Sequence, residues 1–176
     1  MRTKKILYVG VLLLLAGLAV GMNKPDTSAS EAPGQEVYEV KKVDDGDTLQ
    51  IFRYGKLEKV RFIGIDTPET IDPRKPVQCF GKEASQKTKE LLTGKRISLE
   101  FDPVVGERDK YNRLLAYVWE QGKLINLSLI EEGYAHEYTY RSQAYKYQND
   151  FKQAELRARE GEVGLWSPKT CSGTTK

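Results

Sequence analysis

Three short polar segments carry the residue types that could do chemistry, and each adjoins apolar or β-branched residues. The run Asp-Thr-Pro-Glu-Thr at residues 66–70 directly follows the mostly apolar residues 60–65. The other two segments are Asp-Gly-Asp-Thr at residues 45–48 and Asp-Lys-Tyr-Asn-Arg at residues 109–113. Because all three adjoin predicted strands, whose ends bring distant parts of a chain together, we expect them to form one shared site.

The carboxylates suggest a metal site. Asp47 and Asp66 leave adjacent predicted strands, so their side chains can meet in one cleft, and paired hard oxygen ligands suit Ca²⁺ or Mg²⁺. No sulfur or imidazole is expected beside them, which disfavours zinc and copper. Without a cation the carboxylates would repel each other, and the pKa of one would rise. The alternatives are a hairpin turn at residues 45–47 and a helix start with Thr67 as N-cap.

Two arginines suggest a phosphate ligand. Arg61 interrupts an apolar strand, and Arg113 adjoins another, so neither belongs to a solvated run of charges. Two guanidinium groups facing a dication suit a phosphodiester, whose non-bridging oxygens gain negative charge in the transition state. Glu69 would then orient or deprotonate the attacking water. The alternative is that each arginine pairs with an aspartate in a structural ion pair.

Aromatic and basic residues alternate near these segments. Tyr111, Tyr138 and Tyr140 lie on predicted loops or element ends, beside Lys110 and Arg141. Such interleaving is typical of surfaces on which bases stack while cations hold phosphates. These residues are therefore candidates for substrate binding.

The start of the chain resembles an export signal. Arg2, Lys4 and Lys5 precede 17 uninterrupted apolar residues at 6–22, long enough for a signal peptide or an uncleaved membrane anchor. Either alternative places the body of the protein outside the cell, as a secreted or a membrane-anchored protein. Removing these three residues from the 28 Lys and Arg leaves 25, equal to the 25 Asp and Glu, so global charge does not predict nucleic-acid binding.

The cysteines and the histidine are few. In an exported chain, Cys79 and Cys171 favour a disulfide that ties the C-terminal tail to the loop after residue 70; separate thiols are the alternative. His136 is the sole histidine, which excludes mechanisms that need paired histidines and His-rich zinc sites. We expect a packing or surface role for it at the end of a helical segment.

Periodicity predicts the elements that must position these residues. A linker of mainly Pro, Ser, Ala and polar residues at 23–35 precedes one domain at residues 36–168, and a tail follows at residues 169–176. We predict strands at residues 37–43, 48–54, 60–65, 96–101 and 114–119, and helices at residues 81–92, 126–132 (capped by Asn126) and 142–160. Five strands with helices inserted late indicate a β-barrel with helices, an OB-fold Greek-key barrel that could bind oligonucleotides.

The motifs, in order, resemble the thermonuclease (staphylococcal nuclease-like) family. Besides the three polar segments and Arg61, the matching runs are Phe-Gly-Lys-Glu-Ala-Ser at residues 80–85, Leu-Leu-Ala-Tyr at 114–117 and Gly-Leu-Trp-Ser at 164–167. The resemblance covers about residues 37–167. It implies an OB-fold barrel with three helices and Ca²⁺-dependent hydrolysis of DNA and RNA to products with 3′-phosphate ends. We also expect a monomer.

The resemblance also implies a role for each matching residue. Asp47 and Asp66 would bind Ca²⁺ through their side chains and Thr67 through its carbonyl, while Glu69 would be the general base or water-positioning group. The remaining roles are phosphate binding at the scissile bond by Arg61 and Arg113, contact with a terminal phosphate by Lys110 and Tyr111, and contact with the sugar or base by Tyr138.

The chain departs from the family pattern at a few places. Asn112 stands where the family commonly has Gly, a change that left-handed backbone geometry tolerates. Residues 135–147 align poorly with the best-known member, which also lacks both cysteines. A noncatalytic OB-fold module that binds nucleic acid or protein is the alternative function. The intact acidic and basic set favours the enzyme, since a binding module has no need of two aspartates facing phosphate.

Overall fold

A computed structural model of the chain describes residues 36–70 and 76–175. The predicted export segment at residues 1–22 and linker at residues 23–35 lie outside the described residues, as do residues 71–75 of the basic loop. No helix within the described part of the chain is long and apolar enough to cross a membrane.

The described residues form eight strands and three α-helices. The strands are β1 (Val37–Asp45), β2 (Thr48–Arg53), β3 (Lys56–Phe62), β4 (Ile65–Asp66), β5 (Arg96–Glu100), β6 (Leu114–Glu120), β7 (Lys123–Leu124) and β8 (His136–Glu137). The helices are α1 (Gly81–Leu92), α2 (Ile125–Glu131) and α3 (Gln148–Glu160).

Five of the strands close into a barrel. The sheet runs in the order β3-β2-β1-β5-β6, and a parallel pairing between β3 and β6 joins its two ends. All other pairings around the barrel are antiparallel. Closure removes the free edges that an open sheet would expose. The predicted OB-fold barrel with three helices is thereby confirmed.

Alternating side chains fill the barrel and face its helices. In β2, Leu49 and Ile51 are fully buried, whereas Phe52 on the opposite face is exposed. Helix α3 buries Phe151, Ala154 and Ala158 at spacings of three and four, the apolar stripe of a helix with one face on the core. This core gives the residues at the strand ends a rigid support.

Gly64 divides the strand predicted at residues 60–65. The chain turns at Ile63 and Gly64, where Gly64 has a φ of 76° that strongly favours glycine. A Cβ atom at this position would lie 2.6 Å from the ring of Tyr145. The turn therefore requires glycine, and it leaves Asp66 on the separate short strand β4.

Two helix predictions need correction at their starts. Helix α1 has the predicted bounds, but α3 begins at Gln148 and not at residue 142. Arg141 and Ser142 have positive φ values, and Ala144 is exposed, so the predicted apolar stripe does not extend to it. The helix-like spacing of Ala144 is coincidental.

Asn126 does not cap α2, which begins one residue earlier at Ile125. Its fully buried side chain accepts a hydrogen bond from Val118 N–H (2.9 Å) and donates one to the Ile63 carbonyl (2.9 Å). It therefore links β6 to the turn after β3, satisfying backbone groups that would otherwise be costly to bury.

A disulfide joins Cys79, just before α1, to Cys171 in the C-terminal tail. The two Cα atoms are 5.9 Å apart, and the bridge spans 92 residues of sequence. The tail is also held by Leu165, which is fully buried, and by a hydrogen bond from Gly173 N–H to the Leu165 carbonyl (2.8 Å).

Replacing both cysteines with serine should lower the free energy of unfolding. For a loop of 92 residues, the chain-entropy model predicts a loss of about 4–5 kcal/mol. Urea unfolding of the oxidised protein and of the double variant measures this difference in the free energy of unfolding. A change below about 0.5 kcal/mol would show that the bridge contributes no more than an ordinary surface contact.

Candidate active site

Asp47 lies in the tight turn between β1 and β2. Its Oδ2 accepts hydrogen bonds from Thr67 N–H (3.0 Å) and from the Thr67 hydroxyl (3.1 Å), and its Oδ1 accepts one from the Thr48 hydroxyl (3.0 Å). The turn packs so closely on Thr67 that a Cβ atom at Gly46 would lie 2.7 Å from Thr67 Oγ1. The Asp-Gly-Asp segment therefore forms a turn, and this turn fixes Asp47 against Thr67 in the polar segment at residues 66–70.

Arg61 connects the two aspartates. It lies on β3, opposite Thr48 of β2, and its side chain is only 14% exposed. One terminal nitrogen is ion-paired with Asp47, and the other donates a hydrogen bond to Asp66 Oδ1 (2.7 Å). The strand ends thus bring Asp47, Arg61 and Asp66 together, as the sequence predicts.

Asp66 lies at the rim of the site, with 56% of its side chain exposed. Partial desolvation by the surrounding walls raises its pKa; the Arg61 charge opposes this rise, and the neighbouring Asp47 carboxylate reinforces it. Burial is thus the main cause of the rise, and the guanidinium of Arg61 is the counter-charge to both aspartates.

The donor set is compatible with a hard divalent cation. Asp47 and Asp66 supply carboxylate oxygens and Thr67, the next residue, a carbonyl, which is the oxygen chemistry that Ca²⁺ and Mg²⁺ prefer. In the described part of the chain, no three His, Cys, Asp or Glu side chains are close enough to hold a metal ion by themselves. A cation here would thus need backbone, water or substrate oxygens as well as the two carboxylates.

The segment containing Glu69 is an irregular connection and not the helix start that was the alternative for residues 66–70. Thr70 donates hydrogen bonds to Asp45 from its hydroxyl (2.7 Å) and its N–H (3.3 Å), and the same N–H donates to Glu69 Oε1 (3.0 Å). Glu69 therefore lies against the end of β1, in the same segment as Asp66 and Thr67.

Asp45 is a residue of this site to which the sequence reasoning gave no role. Burial raises its pKa to about 6; the Thr70 hydroxyl opposes the rise, and the hydrogen bond with Glu69 adds to it. The available signal was its place in the same polar segment, two residues before Asp47. Asp45, which is buried at the end of β1, therefore contacts the segment that contains Glu69.

Arg113 is held by the loop that precedes β6. Its Nε donates to Asp109 Oδ2 (2.7 Å), and Asp109 Oδ1 accepts the Arg113 N–H (3.0 Å). Burial raises the pKa of Asp109, but these bonds from Arg113 outweigh it and hold the pKa below its usual range. Asn112 has a φ of 63°, the left-handed geometry expected of it. The structural ion pair offered as an alternative is present at Arg113, as it is at Arg61.

A cleft of about 500 Å³ lies in front of the two arginines. Its walls include the sequence-predicted residues Arg61, Asp66, Lys110, Tyr111, Arg113, Tyr138 and Tyr140. Tyr111 is 69% exposed and lies under Lys110 Nζ, 4.9 Å from its ring centroid. The other three predicted residues, Asp47, Thr67 and Glu69, do not line the cleft; Asp47 is linked to it through Arg61.

His136 differs from its predicted setting. It lies on strand β8, opposite Asp66 of β4, so an imidazole does lie near the carboxylates. Its ring packs edge-on against Trp166 (4.8 Å between centroids), and its Nδ1 is 3.6 Å from Glu155. These contacts assign it a packing role.

His136→Ala should therefore leave turnover within about threefold of the unaltered protein, far from the ~10²–10⁴ expected for an acid–base group. Its effect should fall on thermal stability, because the ring packs on Trp166. Turnover and melting temperature, measured on the same preparations, separate the two effects. A loss of ~10² or more in turnover at unchanged stability would make His136 part of the chemistry.

Known proteins with similar sequences include nucleases. The model of the family described as staphylococcal nuclease homologue matches residues 59–168. The chain is 40% identical over 166 residues to the thermonuclease of Staphylococcus hyicus, covering 94% of this chain and 96% of that protein. It is also 40% identical over 161 residues to the thermonuclease of Staphylococcus intermedius (92% and 94%), and 41% identical over 124 residues to endonuclease YncB of Bacillus subtilis (70% and 58%).

The barrel, its two cleft arginines and these relatives together define the class: the protein is a nuclease, an enzyme that hydrolyses phosphodiesters. It belongs to the staphylococcal nuclease homologue family, and the resemblance read from its motifs is confirmed.

Proposed function

We propose that the protein is a Ca²⁺-dependent endonuclease that acts outside the cell and hydrolyses both DNA and RNA to products with 3′-phosphate ends. The observation that carries the proposal is the convergence of Arg61, Arg113 and Asp66 on one cleft. Two fixed cations beside a carboxylate suit a phosphodiester in the presence of a dication. The names thermonuclease and endonuclease carried by its relatives support the same reaction.

The metal would be held by Asp47, Asp66 and the carbonyl of Thr67. When bound, Ca²⁺ would supply Lewis-acid stabilisation to the phosphate oxygens. Asp47 is prepared for this role because the Thr48 and Thr67 donors fix its orientation. Arg61 balances the two carboxylates and turns the same guanidinium toward the cleft that would receive the substrate.

The arginines would bind the non-bridging oxygens of the scissile phosphate. Asp109 holds Arg113 through Nε, and β3 holds Arg61, so both guanidinium groups are in place before substrate binds. Preorganised charge of this kind stabilises the negative charge that develops as water attacks phosphorus.

Glu69 would orient the attacking water and accept its proton. The water oxygen forms the new bond to phosphorus while the bond from phosphorus to the 5′ oxygen breaks. The 5′ oxygen takes up a proton from solvent, which leaves a 3′-phosphate on one product and a 5′-hydroxyl on the other. The Thr70 N–H, which donates a hydrogen bond to Glu69 Oε1 (3.0 Å), would hold the base in position.

The remaining walls would bind nucleotides without reading their sequence. Lys110 and Tyr111 form a cation–aromatic pair, and the rings of Tyr138 and Tyr140 lie 6.4 Å apart on the same cleft. Phosphate contacts and stacking on tyrosine do not depend on base identity or on a 2′-hydroxyl. The site should therefore accept single strands, or locally opened duplexes, of either DNA or RNA.

Localisation and assembly are proposed from the sequence. The basic and apolar residues 1–22 would direct the chain to the outside, either as a secreted protein after cleavage or as one anchored on the outer side of the membrane. The disulfide between Cys79 and Cys171 is consistent with an oxidising compartment. We propose that it acts there as a monomer.

The test compares DNA and RNA strands of matched sequence, each incubated with the protein in Ca²⁺ or in EDTA. The proposal predicts cleavage of both strands in Ca²⁺ and of neither in EDTA. Cleavage that persists in EDTA would refute the metal requirement. Binding without cleavage under any divalent ion would instead support a noncatalytic OB-fold module.

A further inference from the structure

The backbone of the segment from Asp66 to Thr70 is held by side chains from other parts of the chain. Thr67 N–H donates to Asp47 Oδ2 (3.0 Å), and Thr70 N–H donates to Asp45 Oδ2 (3.3 Å). Asp45 is the last residue of β1, and Asp47 lies in the turn that follows it. Pro68 has no N–H, so Glu69 provides the remaining backbone donor between them.

The N–H of Glu69 is held from a different direction. It donates a hydrogen bond to Gln78 Oε1 (2.7 Å), while the Gln78 N–H donates one to the Glu69 carbonyl (3.0 Å). Gln78 thus engages both backbone groups of the residue assigned as the base. The two bonds restrict the backbone dihedral angles that aim the Glu69 side chain.

Gln78 is itself fixed by the elements on either side of it. Its carbonyl accepts the N–H of Gly81 (3.0 Å), the first residue of α1. A Cβ atom at Gly81 would lie 3.1 Å from the Glu69 carbonyl oxygen, so the helix start packs directly on the Glu69 segment. The next residue, Cys79, is bonded to Cys171.

The C-terminal tail that contains Cys171 is held in place by burial and by backbone hydrogen bonds. Cys171 is 9% exposed, and the chain before it is inserted into the core at Leu165. Leu165 N–H donates to the Gly133 carbonyl (2.9 Å), and Gly173 N–H donates back to the Leu165 carbonyl (2.8 Å). Gln78 is therefore tied, through Cys79 and the disulfide, to a tail that is anchored in the core at Leu165.

We propose that Gln78 is a positioning residue for Glu69, and that the Cys79–Cys171 disulfide keeps Gln78 in place. The proposal rests on the role of Glu69 given under the proposed function. Displacing a reacting group by about 1 Å can cost on the order of 10²-fold in rate, even when the cause lies outside the chemistry. Losing the acceptor at residue 78 should therefore lower kcat and leave KM unchanged, since Gln78 does not line the cleft.

The experiment compares kcat and KM for the full chain carrying Gln78→Ala or Gln78→Glu, with Gln86→Ala as control. Gln86 is exposed on α1, and within the described residues its side chain hydrogen-bonds to Glu90, so its loss should have no effect. Gln78→Ala should lower kcat by about 10- to 100-fold at unchanged KM. Gln78→Glu should retain most of the original kcat, because a carboxylate oxygen can accept the hydrogen bond from the Glu69 N–H. An unchanged kcat in Gln78→Ala, or no recovery in Gln78→Glu, would overturn the proposal.

A second arm separates this proposal from the assignment of Glu69. In a Glu69→Gln background, Gln78→Ala should cause little further loss, because both changes act on the same group. An equal fold loss in both backgrounds would show that Gln78 acts elsewhere. If Glu69→Gln alone leaves turnover unchanged, the assignment of Glu69 fails independently of Gln78.

A third arm needs no catalysis. Hydrogen exchange at the Glu69 amide should be faster in Gln78→Ala, and also in the variant with both cysteines replaced by serine, than in the unaltered chain. Exchange at the Thr67 amide should be unchanged in Gln78→Ala, because Asp47 and not Gln78 accepts its hydrogen bond. Equal protection of the Glu69 amide in all three proteins would contradict the positioning role.

Discussion

Glu69→Gln should lower turnover by about 10²–10⁴ while leaving the fold intact, because a group that orients or deprotonates the attacking water contributes that much. Glutamine keeps the size of the side chain and its acceptor oxygen but cannot take up the proton. Single-turnover cleavage of a short oligonucleotide in saturating Ca²⁺ measures the chemical step directly.

Glu160→Gln is the matched control, since Glu160 is exposed at the end of α3 and lies in none of the three polar segments. It should cleave at the rate of the unaltered protein. If Glu69→Gln also does so, Glu69 is removed from the mechanism, and another base must be sought.

Arg113→Lys should lower kcat by about 10²–10³, the loss typical of removing one preorganised donor to a developing oxyanion. Lysine keeps the charge but loses the planar fork that can bind Asp109 and a phosphate oxygen together. The loss should appear in kcat more than in KM, because the interaction strengthens as charge develops on the phosphate oxygens.

The control for this change is Arg157→Lys, an exposed arginine of α3 that pairs with Glu131. It should retain full activity. An Arg113→Lys variant with unaltered kcat would mean that the bond to Asp109 is the whole role of Arg113, as the ion-pair alternative holds.

The barrel could be predicted because its strands carry local signals. Alternation along β1, β2 and β5, the apolar run of β6 and the turn residues between the strands are properties of short windows, as are the helix-forming residues of α1. The break at Gly64 could not be predicted in this way, since the ring that requires glycine there belongs to Tyr145, far along the chain. Nor could the buried position of Asn126, whose partners Val118 and Ile63 come from other elements.

Part of the candidate site was also accessible from sequence. Residue types at strand ends and the order of the motifs were sufficient to propose Asp47, Arg61, Asp66, Glu69 and Arg113. The contacts of Asp45, Gln78 and His136 were not accessible, because each depends on a neighbour that the fold alone supplies: Glu69 for Asp45 and Gln78, and Asp66 for His136.

The most direct measurement of the central claim is the chemical identity of the product ends. A 5′-labelled oligonucleotide is cleaved in Ca²⁺, and the labelled fragments are treated with a phosphatase that removes 3′-phosphates. The account predicts 3′-phosphate ends, seen as a mobility shift on treatment, and no cleavage in EDTA. Fragments that already end in a 3′-hydroxyl would contradict it, because water would then have displaced the 3′ oxygen and not the 5′ oxygen.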